Sequence, residues 1–193
     1  MQAVETEHEA SSLIRISLRT LRPLRLNSFP LPGYLHAMSV LHAFYTAFAQ
    51  RDWAVMGACY HPEAHFSDPV FPDLDGQHAR AMWKMLLSSD TDLCISFTVL
   101  DEDAHGGRVH WEAFYTFSRT GRKVHNVIDT RITLKDGLII KQRDHFSLWR
   151  WSRQALGVQG LLLGWTPLVR DKVRGMAATS LLRFMSAEHP QKG

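Results

Sequence analysis

The chain has 193 residues, of which 45% are hydrophobic and 21% are charged, and its formal net charge is +3. This length suits one domain with extensions, and the composition is that of an ordinary globular protein rather than a disordered or fibrous one. No apolar run approaches the roughly 20 residues that a membrane-spanning helix requires.

Cysteines and charges give two further indications. Cys59 and Cys94 belong to no CxxC motif, which argues against a disulfide framework or a zinc site, and we interpret both as buried thiols of a cytoplasmic protein. Residues 38–146 contain 11 basic and 14 acidic residues, whereas residues 147–193 contain 7 basic and 2 acidic residues. A basic tail can favour nucleic acid or anionic lipid, but such charge is more often a solvated helix face.

The N-terminal residues 1–37 read as an extension, which we predict to be poorly ordered. Four arginines recur there near helical spacing among leucines, a pattern typical of transit peptides. Three glutamates precede them, however, and three prolines interrupt any helix.

Three helices are predicted next. Their apolar positions recur at the spacing of a helix face. Asp52 is placed to cap the second helix, which we extend through Tyr60, and the third helix covers residues 77–88. The buried side chains expected from the first and third helices are Leu41, Phe44, Tyr45, Phe48, Ala49, Ala81, Met82, Met85 and Leu86.

Four strands follow, at residues 94–103, 108–117, 123–134 and 138–149. Short connections rich in glycine predict hairpins between them, and an amphipathic helical pattern returns after Trp149. Helices followed by a strand meander predict an α+β fold, with helices packed on one face of a curved antiparallel sheet. We divide the chain into the extension 1–37, a domain at 38–149 and a C-terminal helical extension at 150–193.

The hairpins predict a row of polar side chains across the sheet. Folding the last hairpin about Asp136 and Gly137 places Asp129 opposite Asp144 and Arg131 opposite Gln142. Folding the preceding hairpin about Thr120 and Gly121 adds Glu112 beside Asp129 and His110 beside Arg131. Three buried carboxyl groups at this spacing could not all stay ionised, and such coupled groups suit acid/base chemistry. The alternative is a polar stripe that faces solvent.

The opposite face of this sheet is predicted to be apolar. It would carry Trp111, Tyr115, Ile128 and Ile132, too much apolar surface to be left in contact with water. We therefore predict a homodimer through this convex face.

Two segments, "FYTAFAQRDWAVMGACYHPEAHFSDPV" and "VIDTRITLKDGLIIKQRDHFS", resemble the nuclear-transport-factor-2-like superfamily, in particular its SnoaL-like and ketosteroid-isomerase-like branches. The resemblance covers roughly residues 38–149. It implies a cone-shaped sheet wrapped around the N-terminal helices, with a pocket at the open end and Asp129 on the concave side.

The resemblance also implies roles for single residues. Asp68 falls at the proton-shuttling aspartate of the steroid isomerases, and Asp129 falls at their oxyanion-binding aspartate. Phe146 matches a pocket-lining aromatic residue. Phe44 replaces the oxyanion-binding tyrosine, and the adjacent Tyr45 should point elsewhere, about 100° around the helix.

Arg131 makes steroid isomerisation by that mechanism improbable, because an adjacent cation favours the ionised form of Asp129. A cluster of aspartates around an arginine is similar to the limonene-epoxide-hydrolase branch, although the order of the two residue types along the strand differs. The catalytic residues expected from this comparison are Asp68, Asp129, Arg131 and Asp144. The residues expected to bind substrate are Phe44, Tyr45, His110, Glu112, Phe114, Gln142 and Phe146.

The sequence thus favours a protein that binds a small hydrophobic molecule in a conical pocket and acts on it by aspartate-based acid/base chemistry. The reaction would be that of an isomerase, a cyclase or an epoxide hydrolase, without a cofactor. The alternative is a non-catalytic module of the same fold, used for ligand binding or dimerisation.

Other partners are less favoured by the sequence. His61 and His65 have the spacing of metal ligands on a helix, but Pro62 spoils the helix and no third ligand is evident, so no metal site is predicted. The tryptophans of the basic tail fit a packed helix better than stacking on nucleic acid, which we do not expect as a partner. Contact of residues 150–186 with a membrane surface is a weaker alternative.

Overall fold

A computed structural model of the protein describes residues 39–88 and 92–188. The predicted extension 1–37 lies outside the described residues. In chain order the elements are α1 (Val40–Ala49), α2 (Trp53–Ala58), β1 (Tyr60–Ser67), β2 (Leu74–Asp75), α3 (Gly76–Ser88), β3 (Cys94–Asp103), β4 (Gly106–Phe117), β5 (Arg122–Lys135), β6 (Leu138–His145), α4 (Leu148–Ala155), α5 (Val158–Leu163) and α6 (Pro167–Glu188).

The first helix forms as its apolar stripe predicts. The Ser39 side chain caps it by accepting a hydrogen bond from the His42 backbone, and Leu41, Phe44, Tyr45 and Phe48 are all buried. Ala49 is exposed at the end of the helix, and Ala47 is buried instead.

The second and third helices differ from the prediction in detail. Asp52 caps α2 through the backbone of Ala54 and Val55, as expected. The helix ends at Ala58, because Tyr60 already belongs to β1. Of the four α3 residues that were expected to be buried, only Met82 is fully buried, and Leu86 is 45% exposed. The fully buried residues of α3 are Gly76, Ala79, Met82, Trp83 and Leu87.

The six strands form one curved sheet in the order β2-β1-β6-β5-β4-β3, which confirms the α+β fold with the sheet wrapped around the N-terminal helices. The β3–β6 meander is antiparallel, whereas β1 pairs with β6 in parallel and makes the sheet mixed. The strand predicted to reach Trp149 ends at His145, because Ser147 caps α4 by accepting from the Arg150 backbone.

The hairpin between β4 and β5 is two residues out of the predicted register. Phe117 pairs with Arg122, and its carbonyl oxygen accepts from the backbone of both Thr120 and Gly121, so the connection is wider than a two-residue turn. His110 therefore lies opposite Asp129, not opposite Arg131. Because the shift is by two residues, the β4 and β5 side chains that were predicted to share a face still share one, but each has a different residue opposite it.

The hairpin between β5 and β6 contains the decisive irregularity. Its tip is as predicted, with Lys135 paired to Leu138 around Asp136 and Gly137, both at positive φ. A β-bulge then shifts the register, with Ile140 as the extra residue. Beyond the bulge, Thr130 lies opposite Asp144, and Asp129 lies opposite His145. The predicted pairing of Asp129 with Asp144 is wrong, because an odd shift moves side chains to the other face.

The two faces of the sheet are therefore exchanged relative to the prediction for β4 and β5. Trp111, Ile128 and Ile132 are buried on the concave face, where the Trp111 ring lies 5.0 Å from that of Phe48 in α1. The predicted apolar convex face is thus part of the core, and it is not available for dimerisation. The homodimer itself stays a prediction.

The C-terminal helices pack back on the domain. The Trp151 indole of α4 donates a 2.8 Å hydrogen bond to the Tyr115 hydroxyl, and Arg174 of α6 donates one of 2.9 Å to the Pro69 carbonyl. None of the helices within residues 39–88 and 92–188 is long and apolar enough to cross a membrane. Cys59 is buried as expected, but Cys94 is exposed at the start of the edge strand β3.

Candidate functional site

The candidate site is built around Asp144 on the concave face of β6. Its residue is only 5% exposed, and its Oδ1 atom accepts hydrogen bonds from the Thr130 hydroxyl at 2.8 Å and from the Gln142 amide at 3.0 Å. Both of these donors are neutral. Both of these hydrogen bonds end at Oδ1, and none among the described residues ends at Oδ2. Oδ2 is therefore the oxygen that could contact a ligand.

Two chains of hydrogen bonds converge on this carboxyl group. In one, the Trp83 indole donates to the Tyr60 hydroxyl at 2.9 Å, and Tyr60 donates to Gln142 Oε1 at 2.6 Å. In the other, the Trp111 indole donates to the Thr130 hydroxyl at 2.9 Å. Because every link is buried and directional, these chains fix the orientation of the Asp144 side chain.

Asp68 follows β1 and is the second carboxyl group of the site. It is half-buried, and its Oδ1 accepts from the backbone of Val70 at 2.6 Å and Phe71 at 2.5 Å. This arrangement turns the chain tightly, and the adjacent Pro69 carbonyl is held by Arg174. Asp68 therefore has a fixed geometry on the side of the domain that α6 covers.

Both carboxyl groups bind a proton more strongly than an ordinary aspartate. Burial raises the pKa of Asp144 to about 7, opposed by the hydrogen bonds from Gln142 and Thr130 and increased by the negative charge of Asp68. Burial also raises the pKa of Asp68 to about 6, opposed by the hydrogen bonds from Phe71 and Val70 and by the charge of Arg174. Both groups therefore titrate closer to neutral pH than exposed aspartates do.

Tyr45 on α1 completes this set. Its hydroxyl is buried and, among the described residues, has no hydrogen-bond partner. Burial raises the pKa of Tyr45 well above its usual value, the charge of Asp144 adds to this, and the neighbouring Thr130 hydroxyl lowers it. Phe44 and Tyr45 are both buried, because both of these sides of α1 face the core.

The structure brings together only part of the predicted site. Asp144, Gln142 and Tyr45 are buried in the interior, and the half-buried Asp68 is near enough for its charge to raise the pKa of Asp144. Phe44 is fully buried, and Phe146 is packed against the core. The outer face of β4 and β5 carries the other predicted residues, which are His110, Glu112, Phe114, Asp129 and Arg131.

These outer residues form their own contacts. His110 lies 2.8 Å from Asp129, and His125 lies 2.6 Å from Glu112. The hydrogen bond to Asp129 raises the pKa of His110, although the Asp129 side chain is 69% exposed and that of His110 is 36% exposed. Arg131 lies between Arg108 and Arg143 across the sheet, so it does not bridge two aspartates.

Residues missed at the sequence level supply much of the inner network. Thr130 sits between Ile128 and Ile132 on the buried face, and Tyr60 begins β1. The alternation of Ile128, Thr130 and Ile132 is a signal that could have identified Thr130, since a polar residue in a buried row requires a partner.

The described cavities lie away from this cluster. One, of about 400 Å³, lies between α2, α3 and α6 and is lined by Trp53, Arg80 and Lys84. Another, of about 430 Å³, lies at the turn between β3 and β4 and includes Arg131. Neither is lined by Asp68 or Asp144. Phe44 and Phe66 pack against Trp83, and the Trp83 and Trp111 indoles begin the two hydrogen-bond chains that end at Asp144.

The histidines and acidic residues were also considered as metal ligands, and the sequence predicted no metal site. In the part of the chain that the structure describes, no group of three or more His, Cys, Asp or Glu side chains is arranged to hold a metal ion. His65 instead lies 3.3 Å from Asp73 on the surface.

Solved structures with the same fold are numerous. A proposed polyketide cyclase from Silicibacter sp. is 17% identical, with a TM-score of 0.54 over 60% of this chain and 91% of its own. A protein from Catenulispora acidiphila with a ketosteroid isomerase-like fold, in complex with trimethylamine, is 14% identical, with a TM-score of 0.52 over 66% and 97%. TerC, co-crystallised with polyporic acid, is 16% identical, with a TM-score of 0.51 over 61% and 96%. At these identities the likeness shows the fold alone.

A search of curated proteins finds none that matches this sequence. The family model of the SnoaL-like domain, in contrast, matches residues 41–142, from α1 to the Gln142 of the inner network. This match spans more than half of the chain and agrees with the helices-then-sheet order and with the solved structures of the same fold. The chain belongs to the SnoaL-like domain family.

Proposed function

We propose that this protein is a cofactor-independent acid/base enzyme acting on a small hydrophobic molecule, with Asp68 and Asp144 as its proton-transferring pair. The observation that supports this most is the burial of the Asp144 carboxyl, held by the Thr130 hydroxyl and the Gln142 amide, which raises its pKa, while the negative charge of Asp68 raises it further. Pairs of groups whose environments separate their proton affinities are typical of acid/base sites.

The environments assign a role to each group. Asp68 accepts two backbone hydrogen bonds, which favour its ionised form, so it is the base. Asp144 is the more deeply buried of the two, which favours its neutral form, so it is the acid, with Oδ2 placed to donate its proton to a substrate oxygen. Tyr45 offers a further hydroxyl to the same oxygen.

The chemistry then follows one scheme. Asp68 takes a proton from a carbon next to a carbonyl group, or from water, while Asp144 gives its proton to the substrate oxygen that gains negative charge. In an isomerisation Asp68 returns its proton to a different carbon and Asp144 recovers its own from the enol oxygen, so both groups end as they began. In a cyclisation the carbanion forms a bond to a second carbonyl carbon, and Asp144 protonates the oxygen of that carbonyl. In an epoxide opening water bonds to a ring carbon as the C–O bond breaks, and Asp144 protonates the leaving oxygen. After either of these two reactions Asp68 holds a proton and Asp144 is ionised, and proton exchange with solvent restores both.

The surroundings favour an apolar substrate. The core beneath Asp144 is rich in aromatic rings, among them Phe44, Phe66 and Trp83, and a charged ligand would lose its hydration there. TerC, which was co-crystallised with polyporic acid, supports small-molecule binding within the fold. Asp68 is the more exposed of the two carboxyl groups, so entry is expected on its side, near Pro69 and α6.

Turnover of a panel of cyclic enones and epoxides tests this proposal. We expect Asp144→Asn and Asp68→Asn each to lower kcat/KM by about a hundredfold or more, the usual contribution of a positioned acid or base. Asp129→Asn is the matched control, because that carboxyl is on the outer face and its side chain is 69% exposed. Equal losses in all three variants, or turnover that survives both inner substitutions, would contradict the proposal.

The non-catalytic alternative is favoured by one observation. Neither described cavity is lined by Asp68 or Asp144. Under this alternative the two carboxyl groups only orient a bound ligand, or none. Tight binding of an apolar probe dye that is unchanged in Asp144→Asn, with no turnover of any panel compound, is the result that would favour it.

A further inference from the structure

Helix α5 is oriented with its small residues inward and its large apolar residues outward. Gly160 and Gly164 are buried against α4, and a Cβ atom at Gly160 would overlap the Ser152 carbonyl oxygen. The three leucines of the helix are 49%, 63% and 49% exposed, and they are Leu161, Leu162 and Leu163. A helix that only completes a core buries its leucines, so this orientation presents them to something else.

Neighbouring side chains extend this surface. Trp165 and Leu168 are 72% and 75% exposed, and Val158 is 71% exposed. We call the surface the apolar tip, which comprises Val158, Leu161, Leu162, Leu163, Trp165 and Leu168. Single exposed apolar residues are ordinary, but six within one turn-helix-turn segment are not.

The charges around the apolar tip are basic. No charged residue stands between Arg153 and Arg170 in the sequence. On one side, the Trp149 indole donates to the Leu161 carbonyl at 3.3 Å, and the Arg153 guanidinium lies 5.2 Å from the centre of the Trp149 ring. On the other side, Arg170 and Lys172 follow the tip and are exposed, with Asp171 as the acidic neighbour.

We propose that the apolar tip inserts into the surface layer of a membrane that contains anionic phospholipid. Leucine and tryptophan side chains lie favourably at the boundary between acyl chains and headgroups, and flanking arginines and lysines meet the lipid phosphates. Two copies of the tip facing each other would bring two basic rims together, so charge complementarity favours an anionic surface over a second copy. This inference does not depend on the proposed enzymatic function.

Sedimentation of the full chain with vesicles tests it. Vesicles of phosphatidylcholine mixed equally with phosphatidylglycerol should bind the protein, and vesicles of phosphatidylcholine alone should bind it more weakly. The double variant Trp165→Glu/Leu168→Glu should lower the affinity for the mixed vesicles by about tenfold or more. Leu168→Glu alone should also lower this affinity, and its matched control is Leu100→Glu, which makes the same single change at a 54% exposed position on strand β3 and should bind like the unchanged protein.

A variant without the basic charges beside the apolar tip, and the oligomeric state of the protein in solution, distinguish the remaining outcomes. Arg170→Gln/Lys172→Gln should weaken binding to the mixed vesicles and leave binding to phosphatidylcholine unchanged. Absence of vesicle binding by the full chain would overturn the proposal, as would a double variant that binds as well as the control. A dimer in solution that the double variant converts to monomer, without vesicle binding, would identify the tip as a contact between copies and also overturn it.

Discussion

The Thr130 hydroxyl donates a 2.8 Å hydrogen bond to Asp144 Oδ1 while it accepts one of 2.9 Å from the Trp111 indole. One small side chain therefore joins the acidic group to the aromatic core. Because the Thr130 hydroxyl is a neutral donor, it orients the Asp144 carboxyl group without supplying a positive charge that would keep Asp144 ionised.

The first prediction concerns this link. Thr130→Val keeps the shape of the side chain but leaves the Trp111 N–H without an acceptor and Asp144 with one donor fewer. We expect a loss of about 1–3 kcal/mol in the free energy of unfolding, the cost of buried polar groups left unpaired. Urea denaturation measures this loss.

Thr130→Ser is the matched control, because it retains the hydroxyl and removes one methyl group, at a cost of about 1 kcal/mol. A serine variant that is destabilised more than the valine variant would show that packing, not the hydrogen bonds, is what Thr130 contributes.

The second prediction is a dependence of stability on pH. The pKa of Asp144 is about 7 in the folded chain against an ordinary value of 3.8, so the folded state holds a proton that the unfolded state releases. The stabilising contribution is complete below about pH 4 and is lost as the pH rises towards about 7. Asp68 acts in the same direction up to about pH 6.

Asp144→Asn should remove most of this loss. We expect the variant and the unchanged protein to be close in stability at about pH 4, and the variant to be more stable by a few kcal/mol at about pH 8. Urea midpoints measured at both pH values give the comparison. A difference that is constant with pH would mean that Asp144 has an ordinary pKa.

The third prediction concerns the Tyr45 hydroxyl, which is buried without a partner in the described part of the chain. Tyr45→Phe removes an unpaired polar group, so the free energy of unfolding should stay the same or rise by up to about 2 kcal/mol. Turnover should fall at the same time, because the hydroxyl is proposed to assist at the substrate oxygen. A clear destabilisation would show that the hydroxyl is hydrogen-bonded in solution and is not free to meet a ligand.

The fourth prediction uses two glycines. Gly160→Ala would force α5 away from Ser152, so we expect faster amide exchange across residues 156–166 and a lower urea midpoint. Gly175→Ala is the control in α6, where a Cβ meets nothing within 4 Å. This second change should stabilise the helix by about 0.5–1 kcal/mol. Unchanged exchange in Gly160→Ala would contradict the docking of α5 on α4.

Local features of the fold were predictable from the sequence. The stripe of α1 and the cap at Asp52 depend on residues three or four apart, so the sequence contains the whole signal. The tip of the last hairpin was predictable for the same reason, since Asp136 and Gly137 tolerate positive φ.

The inner network was not predictable in the same way. Asp68 and Asp144 were selected from the sequence, but their neighbours depend on the strand register, which the bulge at Ile140 changes. The bulge is favoured by packing, because Ile139 and Gln142, three positions apart, are both buried on one face. The alternation of residues along the strand does not show where such a bulge occurs.

The extra residue of β6 also limits how this protein can diverge. If Ile140 were paired in the ladder without a bulge, strict alternation after Ile139 would turn Lys141, Arg143 and His145 towards the interior and Asp144 to solvent. Removal of Ile140 itself would instead leave Ile139 and Gln142 two positions apart, with Asp144 still facing inward. This strand can therefore lose its one extra residue, whereas an insertion between Ile140 and Asp144 would turn the carboxyl group outward.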